Sequence, residues 1–267
     1  MKDYCLSLAA AQSGIDQKSN VMREYVQAYL LNVLYEAGFF RNSAFVGGTA
    51  LRFLHGLPRF SEDLDFSAAG KEKMKFSELM RKLMRELKLA GYTATVVIKE
   101  DKIVQNAFVR FEGLLFEAGI SPLKSQKLSV KIEIDANPPH GAVLEEKLVS
   151  KFFPINFLTY DKPSLFAGKA HALLSRKYTK GRDFFDLGWY LLNWKGLEPN
   201  FIMLNNALRQ TGWKGDELAS VNWRNFLEAI VEKADWKAVK SDVERFLDRP
   251  QDANIFNKEN ILKLLKE

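Results

Sequence analysis

The run FVGGTALRFLHGLPRFSEDLDFS, residues 45–67, carries the pattern on which the rest of the sequence turns. Its end alternates apolar and acidic residues: Asp63, Leu64, Asp65, Phe66. On a strand, residues i and i+2 share a face, so Leu64 and Phe66 turn toward a core while Asp63 and Asp65 stand side by side on the other face. Two like charges held that close disfavour each other's ionisation. The pair is easily kept where a cation lies between the two or where the face is well solvated. Hard cations such as Mg²⁺ take oxygen ligands, typically one or two carboxylates plus substrate phosphates. Taken alone, Asp-Leu-Asp is more often just the wet face of a strand.

The start of the same run adds to it. Residues 44–46 read as a short buried strand leading into Gly47-Gly48, and 49–55 as the opening of a helix. Glycines let a backbone approach a ligand closely, and a helix N-terminus offers unpaired N–H groups and a positive dipole end to an anion. Thr49 can cap that helix or hydrogen-bond a phosphate oxygen. A glycine pair before a helix is usually only a turn. Followed closely by an Asp-x-Asp strand, it places a phosphate cradle next to a metal site. A third carboxylate fits the same scheme. In LSVKIEIDA, 128–136, Val130, Ile132 and Ile134 alternate with Lys131, Glu133 and Asp135. Asp135, at the strand end, is the favoured third ligand, with Glu133 on the same face as its replacement. Three carboxylates can hold two metal ions, which clamp the attacking and leaving oxygens of a phosphoryl displacement.

Working outward, the chain has 267 residues, a formal charge of +6 and a pI near 9.2, with 47% hydrophobic and 27% charged residues. These values exclude a wholly disordered chain and allow one large domain or two modest ones. The single cysteine, Cys5, excludes an intramolecular disulfide framework and a multi-cysteine zinc site, and fits a reducing cytoplasm. No apolar run approaches a membrane span. The first residues, MKDYCLSLAAAQSG, resemble a signal peptide only faintly, with Asp3 in the basic region and Ser7 breaking the apolar run. His55, His140 and His171 have no metal-ligand spacing and read as structural or surface groups. Covalent nucleophilic catalysis has no supporting motif.

Periodicity predicts helices over 18–37, with Gly38 as the stop, and over 72–90. It predicts strands over 92–98, 104–111 and 128–136, then helices over 163–178, 182–194, 223–234, 236–247 and 257–267. Mixed α/β followed by all-α suggests two domains, 1–160 and 161–267. In the first helix after Pro163, Lys169 borders the apolar stripe of Leu165, Phe166, Ala170, Leu173 and Leu174, and Arg176 lies two turns on along the same face. A lysine there suits triphosphate oxygens. In the next helix Asp183 and Asp186 share a face, Asp183 in the first turn where the dipole favours it. Read without further context, these residues tie a helix pair together by ion bridges. Basic groups at Lys71, Lys73, Lys75, Arg81, Lys82, Arg85 and Lys88, and again at Lys124, Lys127, Arg176, Lys177, Lys180 and Arg182, suit RNA phosphates or form solvated faces. Trp213, Trp223 and Trp236 are stacking surfaces or, more simply, core.

GGTAL (47–51), RFSEDLDF (59–66), KIEID (131–135), KAHALLSR (169–176) and RDFFDL (182–187), in this order, resemble the AbiEii/AbiGii nucleotidyltransferase toxins, distant members of the DNA polymerase β-like nucleotidyltransferase superfamily. The resemblance runs from about residue 20 to 195. It implies an α+β fold: a polymerase β-like core with a mixed sheet flanked by helices, then a helical C-terminal domain completing the active-site cleft. It implies that Gly47, Gly48 and Thr49 form the nucleotide-phosphate turn, where many superfamily members carry Gly-Ser. By the same resemblance Asp63 and Asp65 are the metal-binding pair, Asp135 the third carboxylate, and Arg59 and Ser61 the nucleotide-side run-in to that strand. Lys169 would contact phosphate and Arg182 the nucleotide, while Asp183 either orients the nucleotide or holds Lys169 or Arg182. The implied activity moves an NMP from an NTP, with Mg²⁺ or Mn²⁺, to an acceptor such as tRNA or another RNA. The implied setting is a cytoplasmic toxin–antitoxin or phage-defence system with a cognate antitoxin and no membrane. Two rivals stand beside it: a catalytically silent RNA- or protein-binding module of the same fold, and nucleotide transfer onto protein.

Overall fold

The computed structural model describes residues 1–70, 75–100, 102–254 and 256–267. The elements run α1 (Lys2–Ala10), α2 (Ile15–Glu36), β1 (Ser43–Val46), α3 (Gly47–His55), β2 (Asp63–Ala68), α4 (Phe76–Leu89), β3 (Ala94–Lys99), β4 (Val104–Phe111), α5 (Leu114–Glu117), β5 (Leu128–Asp135), β6 (Leu144–Ser150) and β7 (Pro154–Tyr160). Six further helices follow: α6 (Lys162–Ser175), α7 (Gly181–Asn193), α8 (Phe201–Gln210), α9 (Trp223–Lys233), α10 (Trp236–Glu244) and α11 (Lys258–Lys266). The chain divides into two compact units. One comprises residues 1–56, 60–137 and 146–159; the other comprises 57–59, 138–145 and 160–267. The second unit thus joins two short upstream segments to the run from Tyr160 onward.

The first unit is built on a seven-stranded mixed sheet in the order β3-β4-β5-β2-β1-β7-β6. β2 runs antiparallel to β1 and parallel to β5, and β4 runs antiparallel to both β3 and β5. The alternation of β2 and β5 has its expected outcome. Leu64, Phe66, Val130, Ile132 and Ile134 are buried, while Asp63, Asp65, Lys131, Glu133 and Asp135 lie on the other face and remain partly accessible. The buried face joins one core with Leu30 and Leu34 of α2 and Leu83 and Leu87 of α4. Its centre is aromatic: Phe39 meets Phe66 edge-on at 4.8 Å, and Phe45 stacks on Phe157 at 5.2 Å. α4 buries Phe76, Leu79, Met80, Leu83 and Leu87 as its period requires. The expected start of this helix, with Lys71 and Lys73, lies outside the described residues. The sequence predicts no element at 144–150 or 154–160, yet both form strands. β6 is an edge strand that buries little, so its charged sequence carries no alternating apolar signal. β7 does alternate, burying Ile155, Phe157 and Thr159, but it spans the expected domain boundary.

The second unit is helical. Asp161 caps α6 by accepting from the Ser164 N–H, and Pro163 fills the first turn. Phe166 stacks on Tyr190 at 4.7 Å, and Trp223 meets Phe166 edge-on at 5.5 Å. Trp223 is 1% exposed, which makes it core rather than a stacking surface. At Gly181 any Cβ would collide with the Val239 carbonyl, so glycine here lets α10 lie against the start of α7. Among the described residues no helix is long and apolar enough to cross a membrane.

Candidate active site

In the sheet unit, the Gly47 turn and the Asp-x-Asp strand come together. Gly47 has φ +80°, a backbone region that side-chain-bearing residues rarely adopt. A Cβ on it would collide with the Asp65 carboxylate and stand 2.9 Å from the Asp65 Cβ. The missing side chain is what allows Asp65 to lie over the turn. The N-terminus of α3 has no side-chain cap and no acidic residue in its first turn. Its leading N–H groups and dipole are therefore available to an anion beside two carboxylates.

Thr49 departs from its expected role as a phosphate donor. It is fully buried, and its hydroxyl donates to the Asp63 carbonyl, tying the first turn of α3 to the start of β2. Ser61 contributes a backbone carbonyl that accepts from Gln27 Nε2 at 3.1 Å, fixing the approach to β2.

The register between β2 and β5 fixes which carboxylate of β5 stands beside the Asp-x-Asp pair. Asp63 pairs with Lys131, Asp65 with Glu133, and Ser67 with Asp135. Asp135 is therefore two residues past Asp65, about 7 Å along the strand and away from the Gly47 turn. Its Oδ1 accepts from the Asn137 N–H at 2.9 Å in a local turn. Glu133 stands directly beside Asp65, 2.6 Å from Lys131 Nζ. On the next strand Asn106 faces Glu133, and its side-chain oxygen is buried with no hydrogen-bond partner among the described residues. The expected gathering of Asp63, Asp65 and Asp135 is not found. Among the described residues no three His, Cys, Asp or Glu side chains are grouped to hold a metal ion. The donors do fit a hard cation held by two carboxylates and completed by phosphate oxygens.

In the helical unit, the second motif pair forms a buried ion cluster. Asp186, fully buried, takes both oxygens to Arg59, Nε to Oδ1 and Nη2 to Oδ2, each at 2.6 Å, and Lys169 Nζ lies 2.6 Å from its Oδ2. Asp183, also buried, lies 3.5 Å from Lys169 and 3.0 Å from Arg176 Nε. Burial by itself would push the Asp186 carboxyl up, but the Arg59 and Lys169 charges outweigh it and hold it below its ordinary value. Arg59, expected on the nucleotide side, is 2% exposed with its guanidinium committed to Asp186. Arg182 turns to α10, its guanidinium 4.2 Å over the Phe246 ring and its Nε 3.7 Å from Asp242. Asp183 thus holds Lys169 together with Arg176. Sequence reasoning places Asp186 only as a neighbour of Asp183, and its central part depends on an arginine 127 residues away. His55 contacts Lys147 and His171 contacts Thr211, at 3.2 and 3.0 Å.

Comparison with known proteins accords with these motifs. The profile of the nucleotidyl transferase AbiEii toxin family, type IV toxin–antitoxin system, matches residues 29–258. It extends well past residue 195, where the resemblance in sequence motifs ends. No curated protein matches the chain in sequence. Among solved structures, an H. pylori protein proposed to be a nucleotidyltransferase is 17% identical with TM-score 0.55, covering 92% of this chain and 93% of its own. JHP933 from Helicobacter pylori is 17% identical with TM-score 0.54, covering 91% and 90%. MenT4, a nucleotidyltransferase toxin from Mycobacterium tuberculosis H37Rv, is 15% identical with TM-score 0.49, covering 99% of both chains. At these identities the two Helicobacter structures speak for the fold alone. The profile match, over most of the chain and through every motif described above, is what makes this protein a member of the AbiEii nucleotidyltransferase toxin family.

Proposed function

We propose that this nucleotidyltransferase moves an NMP from an NTP to an RNA acceptor, with a divalent cation, as the toxin of a toxin–antitoxin pair acting in the cytoplasm in phage defence. The observation that carries the reading is the seating of Asp65 over Gly47, which joins a carboxylate pair to an uncapped helix N-terminus. Asp63 and Asp65 would hold Mg²⁺ or Mn²⁺, which when bound supplies positive charge to the phosphate oxygens of the nucleotide. The N–H groups opening α3 cradle the triphosphate. Glu133, beside Asp65, takes the proton of the acceptor hydroxyl. The hydroxyl oxygen bonds to the α-phosphorus and the bond to the β-phosphate oxygen breaks, releasing pyrophosphate. Catalysis of this kind is positioning and charge stabilisation, with no covalent protein intermediate. Lys169 and Asp183 enter the reading through the family motifs, Asp183 as the group that holds Lys169 in place.

The test is incubation of the protein with each α-³²P-labelled NTP, Mg²⁺ and total cellular RNA or protein. Label is expected in RNA, and Asp63→Ala or Asp65→Ala is expected to abolish it while leaving the circular dichroism spectrum unchanged. Label in protein would move the acceptor, and undiminished transfer by folded Asp63→Ala would overturn the metal-site assignment. Asp135→Ala is expected to retain most activity and Glu133→Gln to lose it.

A further inference from the structure

The helical unit contains a pocket that borders the ion cluster at Arg176 and Asp183. It has a volume of about 330 Å³ and lies between the α6–α7 connection and the end of α9. Its charged lining comprises Arg176, Lys177, Lys180 and Lys233 against a single carboxylate, Asp183. That carboxylate already serves Arg176 and Lys169. Among the described residues Lys177, Lys180 and Lys233 close no ion pair. Burial pushes the Lys180 ammonium below its ordinary value; Asp183 opposes this, and the neighbouring Arg182, Arg176 and Lys169 add to it. A partly desolvated ammonium among other cations is unfavourable in the absence of a counter-charge. Arg59, Lys169 and Asp186, in the same unit, show the contrast of cations matched by a carboxylate.

The rim supplies a second feature. Tyr178 is 65% exposed, yet its position is fixed: Arg176 Nη1 donates to its hydroxyl at 2.7 Å, and the guanidinium lies 5.5 Å from its ring centre. A held, exposed aromatic ring beside a cationic pocket is the arrangement that accepts a nucleotide, phosphate in the pocket and base on the ring. The volume is that of a small-ligand site, for which about 300–1,000 Å³ is usual.

We propose that this pocket binds single-stranded RNA, one backbone phosphate against Lys180 and Lys233 and an adjacent base on Tyr178. It rests on the reading of RNA as acceptor and adds where the helical unit grips the strand. Binding is measured by fluorescence anisotropy with a labelled oligoribonucleotide of ten residues, over a series of salt concentrations, for the full chain without NTP. Lys180→Glu/Lys233→Glu is expected to weaken binding on the order of a hundredfold and to flatten the salt dependence by about one unit of slope or more. Tyr178→Ala, at an exposed position that leaves the fold intact, is expected to weaken it on the order of tenfold. Lys180→Arg/Lys233→Arg should bind as the unaltered chain does. Asp63→Ala should also bind normally, which separates failure of the pocket from failure of the catalytic reading. Unchanged RNA affinity in both the charge-reversal and the Tyr178→Ala variants overturns the proposal. So does loss of binding to a fluorescent NTP analogue with RNA binding intact, since the pocket would then be a mononucleotide site.

Discussion

At Gly47 a single hydrogen atom in place of a side chain decides whether Asp65 can reach the turn. Gly47→Ala is expected to lose about 1–2 kcal/mol from its left-handed backbone alone, with the collision against Asp65 added. Nucleotide transfer should fall further than stability does, and thermal melting beside the labelled-NTP assay would show the difference. Cys5 gives a second test at this scale. Burial pushes its thiol up to about 11. Iodoacetamide at pH 8 is expected to leave the folded protein unlabelled and to label it fully in denaturant. Rapid labelling of folded protein would contradict the burial. The residues also show what one sequence can reveal. Alternation assigns Asp63, Asp65, Glu133 and Asp135 to one face, because parity alone fixes the face. It cannot say whether Glu133 or Asp135 stands beside Asp65, since a slip of two residues preserves parity and only the strand pairing shows it. Thr49 reads in the sequence as a helix cap or a phosphate donor; α3 has no side-chain cap, and the Thr49 hydroxyl donates to the Asp63 carbonyl instead.

Among the elements, α7 is tied down by a buried carboxylate, because Asp186 on it binds Arg59 and Lys169 at once. Asp186→Asn keeps the shape and removes the charge, leaving the buried Arg59 without its carboxylate and Lys169 with Asp183 alone. A loss of roughly 3–5 kcal/mol is expected in denaturant unfolding, the range for breaking a buried ion pair. A loss below about 1 kcal/mol would show that the cluster does not hold the helix. Replacing both partners, Arg59→Met with Asp186→Leu, should recover part of that loss, because the penalty lies in the uncompensated charge. The α7 pattern itself was legible: the buried stripe of Phe184, Leu187 and Tyr190 has helical spacing. The ion cluster was not, since nothing local in RDFFDL names Arg59. β6 was illegible for the opposite reason, an edge strand whose half-exposed faces have no core to declare.

For the molecule as a whole, the cluster predicts an acid limb in stability. The folded Asp186 carboxyl titrates below its ordinary value of 3.8, so the unfolded chain takes up the proton first as pH falls. Its stabilisation is complete above that value and is lost as pH drops from there through the folded pKa. Ellipticity followed from pH 6 to pH 2 should show cooperative unfolding at the acid end. Asp186→Asn should be less stable at neutral pH and should lose less on acidification. An acid limb of unchanged height would assign the effect to other carboxylates.

The Arg59–Asp186 pair also bears on synthesis of the chain. Arg59 leaves the ribosome 127 residues ahead of the carboxylate that neutralises it, an interval of roughly 6–25 s at ordinary elongation rates. Until then the segment 57–59 has no native partner at that position. A nascent toxin consequently passes that interval without the helical unit's central pin, and a ribosome stalled before Asp186 is added holds a chain in which that unit cannot close.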